Sequence, residues 1–201
     1  MTKRKPIAFW VLSMQGFIGG FALPFAVEAA EYKVDPAHSR VGFQIRHMVG
    51  RVAGEFKEFE GVFHFDDQAV EKSGAEFTIQ TASIFTNNSK RDDHLKNAEF
   101  FDASSHPKIT FKSKSVKAKG PKRFQLTGDV TMHGVTKPVT FDVEYMGADK
   151  DPWGNSKAGF VAKTTLKRKD FGIVYNKTLD SGNLLLGDDV NVELTIEADK
   201  K

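Results

Sequence analysis

The chain alternates. Val41, Phe43, Ile45 and His47 are interleaved with Arg40, Gly42, Gln44 and Arg46, and Phe59, Gly61, Phe63 and Phe65 with Glu58, Glu60, Val62 and His64. The same rhythm returns at 77–83, 109–113, 124–132, 139–145, 160–166 and 190–198. An apolar residue at every second position is the pattern of a strand with one buried face, so about eight antiparallel strands are expected. Gly, Pro and Asn in "HGVTKP" (133–138) and "GADKDPWGNSKAG" (147–159) mark turns between runs. Short links favour pairing between sequence neighbours. So many strands must also protect their edges, which an up-and-down barrel does with the fewest long crossings; a two-sheet sandwich is the alternative.

The charged positions decide which face is inside. Lys112, Lys114, Asp142, Glu144, Lys163, Lys167, Glu193 and Glu197 share the polar face. Against lipid, each Lys or Arg near mid-bilayer costs about 2–4 kcal/mol. The apolar face is therefore expected to point into the barrel, and the barrel is expected to face water.

Residues 1–29 follow a different logic. "MTKRKP" is basic, the next twenty-odd residues carry no charge until Glu28, and Val27 and Ala29 stand at −3 and −1 of a cut after Ala29. This is the pattern of a cleavable signal peptide, with a periplasmic mature protein as its consequence. The apolar stretch is long enough for a retained anchor, but Gln15, Gly16, Gly19, Gly20 and Pro24 weaken it as a helix. The 172 residues from Ala30 to Lys201 suit one domain. Loss of three cations and Glu28 takes the formal charge from +3 to +1, which leaves no nucleic-acid footprint. The sequence has no cysteine, and so no lipoprotein thiol, disulfide or zinc–thiolate site.

Eighteen phenylalanines invite two readings. They fill a core, or they line a lumen, because eight strands make a barrel just wide enough to be filled by side chains or to hold one small ligand. Gly61, Thr81, Ser83, Ser113, Gly128, Ala162 and Thr164 are small and on the inward parity. They either make room for a chain-like guest or receive a Phe from the facing wall. An apolar wall rewards hydrocarbon at about 0.8 kcal/mol per CH₂, which suits a prenyl or acyl tail of about a dozen carbons or more. Polar contacts belong at the rim, where they stay hydrated. The candidate ligand-binding set is Phe43, Ile45, His47, Phe63, Phe65, Phe77, Phe111, Phe124, Phe141, Phe160 and Phe171. His47 either meets a headgroup or is hydrogen-bonded at the mouth. Phe56 against Phe59 signals a break of parity, and a bulge would flip every assignment beyond it.

One segment departs from the strand pattern. "SKRDDHLKNAEFFD" (89–102) has Ser89 and Asp92 at capping-box spacing, acids in a first turn, and Asp92 four residues before Lys96. A short helix near 89–98 is expected, with Arg91, His94, Leu95 and Ala98 on one face and Phe100 and Phe101 returning to the sheet as a lid for one barrel end. An enzyme centred on Asp92 and His94 is the competing functional class, and a filled barrel acting through its surface is a third. No GxSxG elbow, cysteine nucleophile or phosphate-cradling glycine loop accompanies the pair, so no enzyme is expected. The histidines at 38, 47, 64, 94, 106 and 133 form neither HExxH nor a tight HxH pair, so neither metal nor cofactor is expected. Arg46 and Arg91 are placed to pair with carboxylates or with a pyrophosphate-like head.

"YKVDPAHSRVGFQIRH", "GEFKEFEGVFHFD", "SIFTNNSKRDDHLKNAEFFDASSHPKITFKS", "LTGDVTMHGVTKPVTFDV" and "RKDFGI" occur in this order. Together, over essentially the whole mature region, they resemble the YceI family. The resemblance implies an all-β, extended, eight-stranded antiparallel lipocalin-like barrel, export, and binding of amphiphilic lipids such as polyisoprenoids in the lumen. The expected protein sequesters or transports a long-chain isoprenoid or similar lipid without covalent chemistry. It does so as a monomer or weak homodimer, with no nucleic-acid partner and no stable membrane insertion after signal cleavage.

Overall fold

The computed structural model describes residues 29–201, so the expected signal peptide, apart from Ala29, lies outside the described residues. The strands are β1 (Ala30–Val34), β2 (Arg40–His47), β3 (Gly50–Phe56), β4 (Phe59–Phe65), β5 (Gly74–Gln80) and β6 (Ile84–Phe85). They continue with β7 (Lys108–Gly120), β8 (Arg123–Met132), β9 (Val135–Lys150), β10 (Ser156–Lys167) and β11 (Leu186–Lys200). One helix, α1 (Ser89–Lys96), interrupts them. Spatial order is β1-β4-β5-β7-β8-β9-β10-β11-β2-β3-β6, and β1 also pairs with β11, which closes the ring. β1 and β2 lie end to end along β11, β3 and β4 lie end to end beside them, and β5 and β6 continue the next position. Eleven strands therefore make eight staves. The expected eight-stranded up-and-down barrel is the fold, and the sandwich is not.

Three staves are broken at the same level, and short side chains repair each break. Where the chain leaves the ladder at Pro36, the Ser39 hydroxyl accepts from the Glu197 amide at 3.0 Å and donates to the Glu197 carbonyl at 3.1 Å. Asp35 holds the other side of this joint: its carboxylate accepts from His38 Nδ1 at 2.7 Å, Ala37 N at 3.0 Å and Lys157 Nζ at 3.0 Å. Between β3 and β4, Lys57 and Glu58 turn their amides to the carbonyl and hydroxyl of Ser83, which lies in the short turn between β5 and β6. This is the parity break expected from Phe56 and Phe59, and both rings are buried.

Two turns are shorter than the sequence suggested. Strand β9 resumes at Val135, so only His133 and Gly134, both at positive φ, form the β8–β9 turn. Pro138 then lies inside a strand. It is tolerated because β9 pairs with β10 only from Asp142 onward, leaving the proline one unpaired edge. Likewise β9 and β10 run to Lys150 and from Ser156. The intervening turn is tied by Asp151 Oδ1, which accepts from the amides of Trp153 and Asn155 at 2.9 Å each.

The polar face is outside, as its charges require. Lys112–Glu76 at 2.7 Å, Lys114–Asp129 at 2.6 Å and Lys163–Glu193 at 3.0 Å cross neighbouring staves. Exposed pairs of this kind are worth at most about 1 kcal/mol each, so the enclosed apolar face carries the stability.

The Asp35 joint is the exception among these charges because its carboxylate is largely enclosed. Hydrogen bonds from His38, Lys157 and the Ala37 amide hold its pKa down to about 2 from an ordinary 3.8. A depressed carboxylate stabilises the fold fully above its unfolded pKa and loses that contribution as pH falls through the folded value. Wild-type stability is therefore expected to drop between about pH 4 and pH 2 more steeply than that of Asp35→Asn. At pH 7, urea unfolding should show the variant less stable by about 1–3 kcal/mol.

Candidate functional site

The inward faces of the staves enclose a cavity of about 400 Å³, within the size range of small-molecule sites. Phe43 and Ile45 of β2, Phe77 of β5, Phe111 of β7 and Phe141 of β9 form its wall, joined by Leu126, Ala162, Val192 and Leu194. At one end Phe63, Phe65, Phe124 and Phe160 crowd together with Tyr32 and Tyr145. Phe63 and Phe65 each stand edge-on to Phe160 at 5.0 Å, and Tyr145 lies 4.7 Å from Phe65. Burial among these rings pushes both tyrosine phenols above their ordinary pKa. These rings pack closely at this end, and they also line the cavity there.

Ten of the eleven candidate residues line this cavity, His47 among them at the α1 end. Phe171 does not. It is 2% exposed and belongs to a short 3-10 turn (Arg168–Phe171) capped by left-handed Gly172. Alternation has no meaning in that turn, so strand parity misplaced it. Residues that parity did not select also line the cavity: Leu95, Phe100, Phe101, Ile173, Tyr175 and Leu186 near α1. The helical spacing of Leu95 and the pair of phenylalanines after the helix were the only signals for any of them.

The small inward residues divide between the two readings. A Cβ at Gly54 would lie 2.4 Å from the Phe43 ring, one at Gly61 2.4 Å from Phe77, and one at Gly128 2.6 Å from Phe111. These three glycines receive rings that lie flat along the wall, which keeps the rings out of the centre. Ala162 faces the cavity itself. Ser113 accepts from the Ala75 amide at 2.8 Å, Thr81 donates to the His106 carbonyl at 2.7 Å, and Thr164 donates to the Thr140 carbonyl at 2.9 Å. Ser83 belongs to the stave joint.

The charged segment covers one end of the barrel. Its helix is capped by Asn88, whose side chain accepts from the Arg91 amide at 3.0 Å; Ser89, the expected cap, is the first helical residue. Asp92 is not a surface partner of Lys96, which lies 3.9 Å from Asp93 instead. It is buried, and its Oδ1 accepts from both the amide and the hydroxyl of Thr86, while Arg91 donates to the Thr86 hydroxyl and carbonyl at 2.7 Å each. A barrel-end Thr whose polar atoms need partners away from water is what draws these charges inward. His94 Nε2 meets Glu99 Oε2 at 2.6 Å, so Asp92 and His94 do not form a base with its orienter. Phe100 packs on His94 and Tyr175 at 5.0 and 4.9 Å, and Phe101 on Phe56 at 5.7 Å.

Polarity is unevenly distributed around the cavity. His64 and Ser73 touch it near the aromatic end, whereas His47, Thr86, Arg91, His94, Arg168 and Tyr175 gather near α1. Arg168 is 4% exposed. Its Nε donates to the Gly187 carbonyl at 2.8 Å, and Nη1 to those of Ile173 and Tyr175 at 2.8 and 2.7 Å. Burial lowers its pKa from the ordinary arginine value. Elsewhere, Asp35, His38 and Glu197 converge as metal ligands would, but the Lys157 ammonium already lies 3.0 Å from Asp35 and 3.2 Å from Glu197.

A ring of eight antiparallel staves around an apolar cavity, with a helical cover and polar groups gathered under it, defines a lipocalin-like ligand-cavity barrel. Within that class the chain belongs to the YceI family, whose YceI-like domain profile matches residues 32–198. A UPF0312 protein of Vibrio parahaemolyticus is 38% identical over 189 residues, covering 92% of this chain and 96% of the relative. A Campylobacter jejuni YceI protein superposes with a TM-score of 0.66 at 34% identity, covering 83% of this chain and 96% of that one. A polyisoprenoid binding domain from Saccharophagus degradans, implicated in plant cell wall breakdown, gives a TM-score of 0.60 at 13% identity. It covers 86% of this chain and 99% of the domain, a likeness of fold.

The glycine contacts carry a direct test. A methyl on Gly128 would sit 2.3 Å from the Lys112 carbonyl oxygen as well as against Phe111, and backbone yields less readily than a side chain. Gly128→Ala is expected to lower the unfolding free energy by about 1–3 kcal/mol, read from urea titration.

Proposed function

We propose that this protein is an exported carrier that sequesters or transports a long-chain isoprenoid or a similar amphiphilic lipid, held by burial without covalent chemistry. The apolar cavity carries this reading: Phe, Ile, Leu and Val dominate its wall, and such a wall rewards hydrocarbon over anything that needs directed hydrogen bonds. The shared fold of the Saccharophagus degradans polyisoprenoid binding domain supports the ligand class. The basic, then apolar, then small-residue pattern of residues 1–29 supports release into the periplasm. In this reading the nine apolar lining residues of the candidate set contact the chain of the lipid, and His47 stands near its polar end.

The cavity also bounds the ligand. If each methylene claims the ~30 Å³ that a water molecule occupies in the liquid, 400 Å³ holds about a dozen such groups. A longer isoprenoid must leave its remaining units outside or displace side chains.

Organic extraction of the purified mature protein, followed by mass spectrometry, is expected to recover a lipid with a long prenyl or acyl chain. Recovery of no lipid, combined with no binding of added prenyl alcohols, would reject the reading. Affinity for prenyl alcohols of increasing length should rise steeply up to about 15 carbons and then flatten, because only the enclosed part gains ~0.8 kcal/mol per CH₂. Ala162→Phe, which adds a ring from the wall into the cavity, should weaken farnesol binding at least about tenfold while leaving the far-ultraviolet β spectrum unchanged.

A further inference from the structure

The turn between β2 and β3 is made of residues that its geometry does not favour. His47 pairs with Gly50, so Met48 and Val49 form a two-residue turn, and such turns favour Asn, Asp or Gly because they need positive φ. Met48 takes φ 50°, an uncommon conformation for a residue with a long side chain. Neither side chain packs inward in return: Met48 is 45% exposed and Val49 is fully exposed.

The loop between the Arg168–Phe171 turn and β11 adds exposed Val174 and Leu184 to the same end. It is fastened to the β2–β3 turn. The Met48 amide donates to the Leu185 carbonyl at 2.8 Å, and Arg46 donates to the carbonyls of Met48 at 3.0 Å and Leu184 at 3.2 Å. Met48 follows His47, Leu184 precedes Leu185, and Val174 stands between Ile173 and Tyr175, all residues of the cavity wall. The exposed residues therefore form an apolar rim at the α1 end of the barrel.

The charge on this rim is mostly of one sign. Arg46 and Arg51 stand directly opposite each other on β2 and β3, which is destabilising for like charges. Lys177, whose carbonyl accepts from the Leu185 amide at 2.8 Å, is the third cation. All three are exposed, and none belongs to an ion pair among the described residues. Across residues 46–51 and 172–186 the only acid is Asp180. Exposed apolar side chains flanked by unbalanced cations complement a surface that is oily within and anionic at its face. A second copy of the chain fits less well, because a two-fold contact through this rim would set cations against cations. The β9–β10 turn at the other end exposes Trp153 but carries Asp149 and Asp151 beside it.

We propose that this rim is a docking surface for an anionic phospholipid bilayer: Met48, Val49, Val174 and Leu184 enter the headgroup boundary, and Arg46, Arg51 and Lys177 meet lipid phosphate. The contact is peripheral and reversible, and it sets the α1 end of the barrel against the membrane whatever the cavity contains.

The test floats the mature protein with vesicles of phosphatidylcholine alone or mixed equally with phosphatidylglycerol. Wild type is expected to bind the mixed vesicles at least about tenfold tighter, and about 0.5 M salt should remove most of that preference, because exposed charges are screened. Arg51→Gln combined with Lys177→Gln should weaken binding at least about tenfold, whereas Arg51→Lys combined with Lys177→Arg should bind as wild type does. Val49→Ser combined with Leu184→Ser should weaken it at least about threefold. Every variant should keep the wild-type far-ultraviolet β spectrum, since these side chains lie outside the core and the cavity wall. Should a variant fail to fold, the lipid and salt dependence of wild type, with Trp153→Ser as the control, decide. Equal binding to both vesicles, or binding to neither, overturns the docking surface. Trp153→Ser weakening the binding tenfold overturns it in favour of the opposite end. A concentration-dependent dimer in sedimentation, abolished by Val49→Ser with Leu184→Ser, overturns it in favour of a second copy.

Discussion

The ladder between β1 and β11, from Tyr32 opposite Lys200 to Val34 opposite Ala198, turns a sheet into a container. Only three residue pairs make it, and β1 is five residues long. Without it, β1 and the last residues of β11 would each present an open edge, and the apolar face would have water on it. The joint that follows β1 is built accordingly: Asp35, Ser39 and Lys157 hold the chain against β11 where backbone pairing lapses. Charge and hydroxyl chemistry on the outside of the barrel thus maintains the enclosure of its inside.

Closure does not by itself leave space. Eight staves give a bore that side chains can fill completely, and at the Phe65 end they do much of that filling. Further along, the glycines opposite Phe43, Phe77 and Phe111 let these rings recline against their own wall. The cavity therefore exists because three positions in the sheet lack a Cβ. Large residues line the lumen and small ones lie beneath them, a distribution that composition alone reads as a filled core.

Most of the barrel could be read from alternation because each side chain's face depends only on its neighbours in sequence. The exceptions share a physical cause. β3 was missed as a strand because its central inward position is Gly54, where the apolar surface is supplied by Phe43 of the adjacent stave rather than by the residue itself. β1 is too short to show a rhythm. Helix α1 was legible from its spacing, but its cap and the destination of Asp92 were not, because Thr86 recruits that carboxylate through tertiary contact. Phe171 and Arg168 stand in a turn just past a strand, where period two no longer tells inward from outward. The sequence "RKDFGI" carried the family resemblance, yet nothing local marks its arginine as the residue that reaches the lumen.

The two ends of the cavity act differently on a guest. Burial of about a dozen methylenes yields roughly 10 kcal/mol at ~0.8 kcal/mol each. Association and ordering cost an estimated 4–15 kcal/mol, so the apolar wall alone leaves a narrow margin and discriminates poorly among chains of equal length. A single charge-assisted hydrogen bond of about 1.5–3 kcal/mol is then worth roughly one to two orders of magnitude in affinity. A wall of this kind thus favours hydrocarbon without fixing its identity, which polar contacts would have to supply.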